Sequence, residues 1–87
     1  MKPLVWTEEG PEHIWTGHGL VWEDVEAAIA TALVDVKESK NYPGQKLYIV
    51  RIEGYLHVVP VEEHETYILI RTAFPDRRLK KKYTEGN

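Results

Sequence analysis

From Leu47 to Phe74 the chain is a near-continuous succession of β-branched, aliphatic and aromatic residues, broken at Glu53-Gly54 and at Glu62 to Glu65. Nearly everything with a helical pattern lies before it. Helix-patterned segments followed by strand-patterned ones, without the alternation of βαβ units, predict an α+β domain with an antiparallel sheet. Leu47 to Ile52 and Tyr55 to Val61 flank Glu53-Gly54, the spacing of a tight hairpin, although Glu suits the first turn position less well than Asn or Asp. Thr66 to Phe74 is the next strand. Pro75 cannot donate to a ladder, and Asp76 can cap a short final helix from Arg77 to about Tyr83.

Two helices are expected ahead of the sheet. Pro11 suits the first helical position of one, with Thr7, Glu8 and Glu9 just before it, and Gly17 or Gly19 ends it. In the other, Trp22, Val25, Ile29 and Leu33 recur at three- and four-residue spacing as one apolar stripe. Val34 to Glu38 reads as a short edge strand, followed by a polar connection containing Asn41, Pro43 and Gly44. The expected architecture is two N-terminal helices on a three- to four-stranded antiparallel sheet, with a short C-terminal basic helix.

Side chains alternate between sheet faces with period 2. With even-length loops, Val50, Ile52, His57, Val59, Ile68 and Ile70 share the helix-covered face, and Arg51, Leu56, Val58, Leu69 and Arg71 share the other. Loops of two and four residues would align Arg51, Leu56 and Arg71 in one cross-strand row. Neighbouring guanidiniums repel, and each needs solvent, a carboxylate or an anion. Two accounts stand: one arginine pairs with Glu53 or Asp76 while the other extends over the apolar face, or both hold a phosphate.

Charge sharpens the choice of partner. Residues 71–87 hold six of the eleven Lys and Arg but only two of the fourteen carboxylates, so a basic end of about +4 follows an acidic body of about −7. Eighty-seven residues make one domain, 1–87, burying roughly 60 to 65% of its unfolded-chain surface, so a partner or homo-oligomerisation would add stability. Absence of Cys excludes disulfides, thiolate metal sites and thiol nucleophiles. The N-terminal apolar run is too short for a secretory signal, and the longest near-apolar stretch, Ala27 to Val34, is too short for a bilayer span. A cytoplasmic protein without membrane contact is expected.

Trp6, then His18-Gly19 twelve residues on, then Trp22-Glu23-Asp24, with Glu12-His13-Ile14 between, resemble without a gap the opening of BrnT-like toxins. Thr72-Ala73 at a strand end and the basic stretch ending in Tyr83 resemble that family's close. The resemblance implies a RelE-like fold and a metal-independent ribonuclease, the toxin of a type II toxin–antitoxin pair, acting on RNA and held by an antitoxin of ribbon-helix-helix type. The chain departs from the family's basic positions at Gly10, Gly17 and Phe74. The alternative implied is a catalytically inactive relative acting as a protein-binding module.

RNA cleavage without a metal needs a base for the 2′-hydroxyl, an acid for the leaving 5′-oxygen, and cations around the phosphate. Arg51 and Arg71 suit the cationic role, His18 the acid/base role, and Tyr83 proton transfer or base stacking. Arg77, Arg78, Lys80, Lys81 and Lys82 suit the RNA backbone. Each has a structural counterpart: His18 caps the first helix, Tyr83 docks the last, and the charge run is a solvated face. His57 reads as a core histidine. His13 and His18 lie five residues apart, roughly 140° around a helix, so no metal site is suggested, and no cofactor is expected. Trp6, Trp15 and Trp22 read as core and interhelix packing.

Overall fold

A computed structural model describes residues 2–83. Glu53 and Gly54 both adopt left-handed backbone, φ 52° and 83°, as the primed turns of two-residue hairpins require. They join β3 (Gln45–Ile52) to β4 (Tyr55–Glu63), paired antiparallel from Gln45↔Glu62 to Ile52↔Tyr55. Ahead of this hairpin come β1 (Leu4–Trp6), α1 (Gly10–His18), α2 (Trp22–Thr31) and β2 (Leu33–Glu38). After it come β5 (Ile68–Ile70), β6 (Phe74–Pro75), a 3₁₀ turn (Arg77–Leu79) and α3 (Lys80–Tyr83).

The sheet is six-stranded and mixed, in the order β1-β5-β4-β3-β2, with β6 also on β4. The expected three- to four-stranded antiparallel sheet is therefore too small and too uniform. The short apolar run Leu4–Trp6 becomes an edge strand because it can pair parallel to β5, with Leu4 opposite Ile68 and Trp6 opposite Ile70. The expected continuous strand from Thr66 to Phe74 is broken: from Val61↔Ile70 to Val58↔Phe74, β4 advances three residues while its partner advances four. One extra residue in one strand is a bulge, which turns the chain locally.

Each face of the hairpin is covered. On one, Tyr48, Val50, Ile52, Val59, Val61, Ile68 and Ile70 form a cluster with Ile14 of α1 and Val25, Ala28 and Ile29 of α2. His57 lies here as expected, 6% exposed, its Nδ1 donating to the Tyr55 carbonyl at 2.9 Å. On the other face, Ile49, Leu56 and Val58 pack against Phe74, Leu79 and Tyr83, so the basic C-terminal segment is anchored by its own apolar residues. Burial of this kind contributes roughly 25 cal/mol per Å².

The tryptophans are a correction. Trp6 is half-buried and donates from Nε1 to Glu26 at 2.8 Å, tying β1 to α2. Trp15 and Trp22, by contrast, are 59% and 43% exposed. Ile14 faces the sheet and leaves its neighbour Trp15 outward, and Trp22 is the first residue of α2, ahead of the buried Val25, Ala28 and Ile29.

One polar contact joins the core to its rim. The hydroxyl of Tyr48, only 6% exposed, donates to the Glu63 carboxylate, which also meets Lys46 Nζ at 3.1 Å. The Tyr48 hydrogen bond, then Lys46, holds the Glu63 carboxyl below the usual carboxylate range. Burial and Glu63 push the Tyr48 phenol up, so it stays a donor. A depressed carboxyl contributes stability that is complete above its unfolded value and is lost as pH falls through its folded value. Tyr48→Phe should therefore cost about 1 to 2 kcal/mol near neutrality and make the acid-side loss shallower. Denaturant unfolding between about pH 7 and about pH 3 checks both.

Candidate functional site

A groove of about 720 Å³ lies at the turn end of the β3–β4 hairpin, with His18, Arg51, Arg77 and Lys80 along it and Asp24, Glu53 and Asp76 among its walls. His18 is the last residue of α1 and is exposed. Gly19 is left-handed, φ 67°, and the helix end is closed by backbone: Gly19 N–H donates to the Trp15 carbonyl at 2.9 Å and Leu20 N–H to that of Ile14 at 3.1 Å. These donors take the capping role expected of the imidazole.

Arg51 stands opposite Leu56 on the face away from α1 and α2, as the alternation predicts. The third member of the row is different. Asp76 N–H donates to the Leu56 carbonyl at 3.1 Å, whereas Arg71 N–H bonds Pro60, four residues further along β4, about 13 Å away. The expected Arg51-Leu56-Arg71 row does not form because the turn is His64 to Tyr67. Glu62 and Glu63 remain in β4, opposite Leu69 and Ile68. Their carboxylates tolerate strand positions because each has a cation: Glu62 accepts from Arg71 at 2.7 Å, and Glu63 meets Lys46. The shift is even, so faces are preserved while the row changes.

The basic end divides in the same way. Asp76 caps the 3₁₀ turn, accepting from Arg78 N–H at 3.0 Å, and takes the Arg78 guanidinium in two further bonds at 3.0 Å. Arg78 holds the Asp76 carboxyl below its ordinary range. That pairing turns Arg78 back on its own turn, and only Arg77 and Lys80 of the five basic candidates line the groove. Tyr83 donates to Asp35 Oδ2 at 2.7 Å, and the ammonium groups of Lys37 and Lys82 lie 5.8 and 5.7 Å from its ring. Desolvation, then Asp35, pushes its phenol up to about 12. Tyr83 therefore docks the last helix against β2, and neither it nor Arg71 lines the groove.

Tyr55, 70% exposed at the hairpin corner, also lines the groove. Its signal in the sequence is an aromatic residue directly after a Gly turn, with no apolar partner at the next alternate position. Asp24 and Glu53 bring negative charge that spacing alone did not assign to the site. Among the described residues no group of three or more His, Asp or Glu could hold a metal, and no helix is long and apolar enough to cross a membrane.

No family model, curated protein or solved structure matches the chain.

Two of the three departures from basic residues have steric accounts. A Cβ at Gly10 would meet Thr7 Oγ1 at 2.9 Å, the Trp6 ring at 3.1 Å and the Arg71 carbonyl oxygen at 3.3 Å, so a side chain at the start of α1 requires these neighbours to shift. Phe74 is committed to the second cluster. Gly17 differs, with nothing within 4 Å of a Cβ. Gly17→Ala should raise stability by about 0.5 to 1 kcal/mol, and Gly10→Ala should lower it by about 1 to 3 kcal/mol. Thermal melts of the two variants give opposite shifts.

Proposed function

We propose that this chain is a ribonuclease toxin with a RelE-like fold, similar to BrnT toxins, that cleaves RNA without a metal and is held in check by an antitoxin. The observation that carries the reading is the convergence of His18, Arg51, Arg77 and Lys80 on one groove from three separate parts of the chain. In this reading Arg51, with its fork of N–H donors, binds the scissile phosphate, and Arg77 and Lys80 hold flanking phosphates. His18 takes the 2′-hydroxyl proton as the 2′-oxygen attacks phosphorus. The bond to the 5′-oxygen breaks and that oxygen takes a proton from solvent water, leaving a 2′,3′-cyclic phosphate and a 5′-hydroxyl. Charge on the phosphate rises during attack, so a prepositioned cation favours the transition state over the bound substrate.

The second reading, a silent protein-binding relative, is favoured by Phe74, which fills the core at a position basic in the family, and by Asp24 and Glu53 in the groove. Incubating purified protein with RNA in a chelator separates the readings. Cleavage should persist in the wild type, fall about 10²- to 10³-fold in Arg51→Ala and about 10²-fold or more in His18→Ala, and be nearly unchanged in Arg71→Ala. Folded wild type that leaves RNA intact yet binds its antitoxin selects the second reading. Loss in Arg71→Ala but not in Arg51→Ala would move the site away from the groove.

A further inference from the structure

Among the described residues, strand β2 is the outermost on its side of the sheet. Its inner side pairs with β3 through Asp35↔Ile49, Val36↔Tyr48 and Lys37↔Leu47. Ser39 N–H donates to the Gln45 carbonyl at 3.0 Å, which fixes the alternation: Asp35 and Lys37 turn their backbone groups inward, and Val36 and Glu38 turn theirs out. The outward N–H of Val36 meets the Asp35 carboxylate at 2.8 Å. Leu33, Val34 and Val36 are 45%, 38% and 41% exposed. Three large apolar residues on an edge with no strand partner among the described residues form a template for strand addition.

We propose that β2 pairs antiparallel with β2 of a second copy of this chain about a two-fold axis at Val36. The order Asp35-Val36-Lys37 identifies the occupant, because it is complementary to itself in this register. Val36 meets its counterpart, and each Asp35 faces Lys37 of the other copy. An axis at Asp35 would set carboxylate against carboxylate, one at Lys37 would set ammonium against ammonium, and a parallel in-register pairing would do both. With Val36 forming the hydrogen-bonded pair, Asp35 and Lys37 fall in the closely spaced non-hydrogen-bonded pairs.

The polar groups are satisfied on both sides of the association. Val36 N–H passes from the Asp35 carboxylate to the Val36 carbonyl of the second copy, and that carboxylate oxygen becomes available to Lys37 across the edge. Lys37 gains most, because Lys82 beside it holds its ammonium below the usual lysine range. The Tyr83 to Asp35 bond uses the other oxygen and persists. None of the residues lining the groove belongs to β2, so pairing leaves the groove open and stands apart from the ribonuclease reading.

Sedimentation equilibrium of the full chain over a concentration series tests the proposal. Wild type should show a monomer–dimer equilibrium that weakens with salt. Lys37→Glu places Asp35 against Glu, and Asp35→Lys places Lys against Lys37, so each alone should raise the dissociation constant by about tenfold or more. Mixing the two variants restores both opposite-charge pairs and should recover a heterodimer. Val36→Lys, at an exposed position, should be monomeric with an unchanged melting curve at low concentration. Wild type monomeric throughout would overturn the proposal and leave the edge to a strand of a different protein. A dimer indifferent to Val36→Lys and Lys37→Glu, or folded charge variants that do not recover on mixing, would overturn it as well.

Discussion

The hairpin of β3 and β4 is the constraint on which the rest of the structure depends. Its pairs run without interruption from Gln45↔Glu62 to Ile52↔Tyr55, and residues on both of its faces are buried. A two-sided strand pair cannot face water on either side, so it demands two covering layers. α1 and α2 supply one. The 3₁₀ turn and α3 supply the other, and that second demand converts a basic tail into a positioned surface. The left-handed turn at Glu53-Gly54 sets the register from which all these contacts follow.

The bulge between Ile70 and Phe74 decides the site. The turn at His64 to Tyr67 has already left Arg71 paired with Glu62 at the far end of β4, and the bulge sends Ala73 to one core and Phe74 to the other. It also lays Asp76 beside Leu56, from where the capped 3₁₀ turn projects Arg77 and Lys80 into the groove. The Arg71 carbonyl oxygen in turn crowds the start of α1 at Gly10. Packing at these places favours a residue without a side chain at Gly10 and an apolar one at Phe74.

Electrostatics follows the layers. The helical layer carries Glu12, Glu23, Asp24 and Glu26, whereas the opposite layer carries Arg77, Arg78 and the three lysines. A polyanion would approach from the second side and is repelled at the first. Self-pairing narrows the cationic surface further: Asp76 engages Arg78, Glu62 engages Arg71, and the Tyr83 ring lies near both Lys37 and Lys82. Arg51, exposed and with no side-chain ion pair among the described residues, keeps its charge available at the groove.

Much of this was determined by the sequence alone. Pro11 and the glycines after it marked α1, apolar periodicity marked α2, β-rich runs around Glu53-Gly54 marked the hairpin, the period of 2 assigned Val50, Ile52, His57 and Arg51 to their faces, and Asp76 was legible as a cap. These are local properties, set within a few residues by backbone sterics and side-chain alternation. Tertiary structure decided what depends on distant partners: a parallel β1 held by β5, the two-residue slip of the second turn, the bulge, and the exposure of Trp15 and Trp22. A three-residue strand carries no periodicity of its own, and Glu62 and Glu63 look like turn residues until Arg71, Tyr48 and Lys46 neutralise them. Alternation preserves a face under an even shift but carries no information about the row, so His18 and Arg51 could be named in advance, whereas the loss of Arg71 and Tyr83 from the groove waited on the fold.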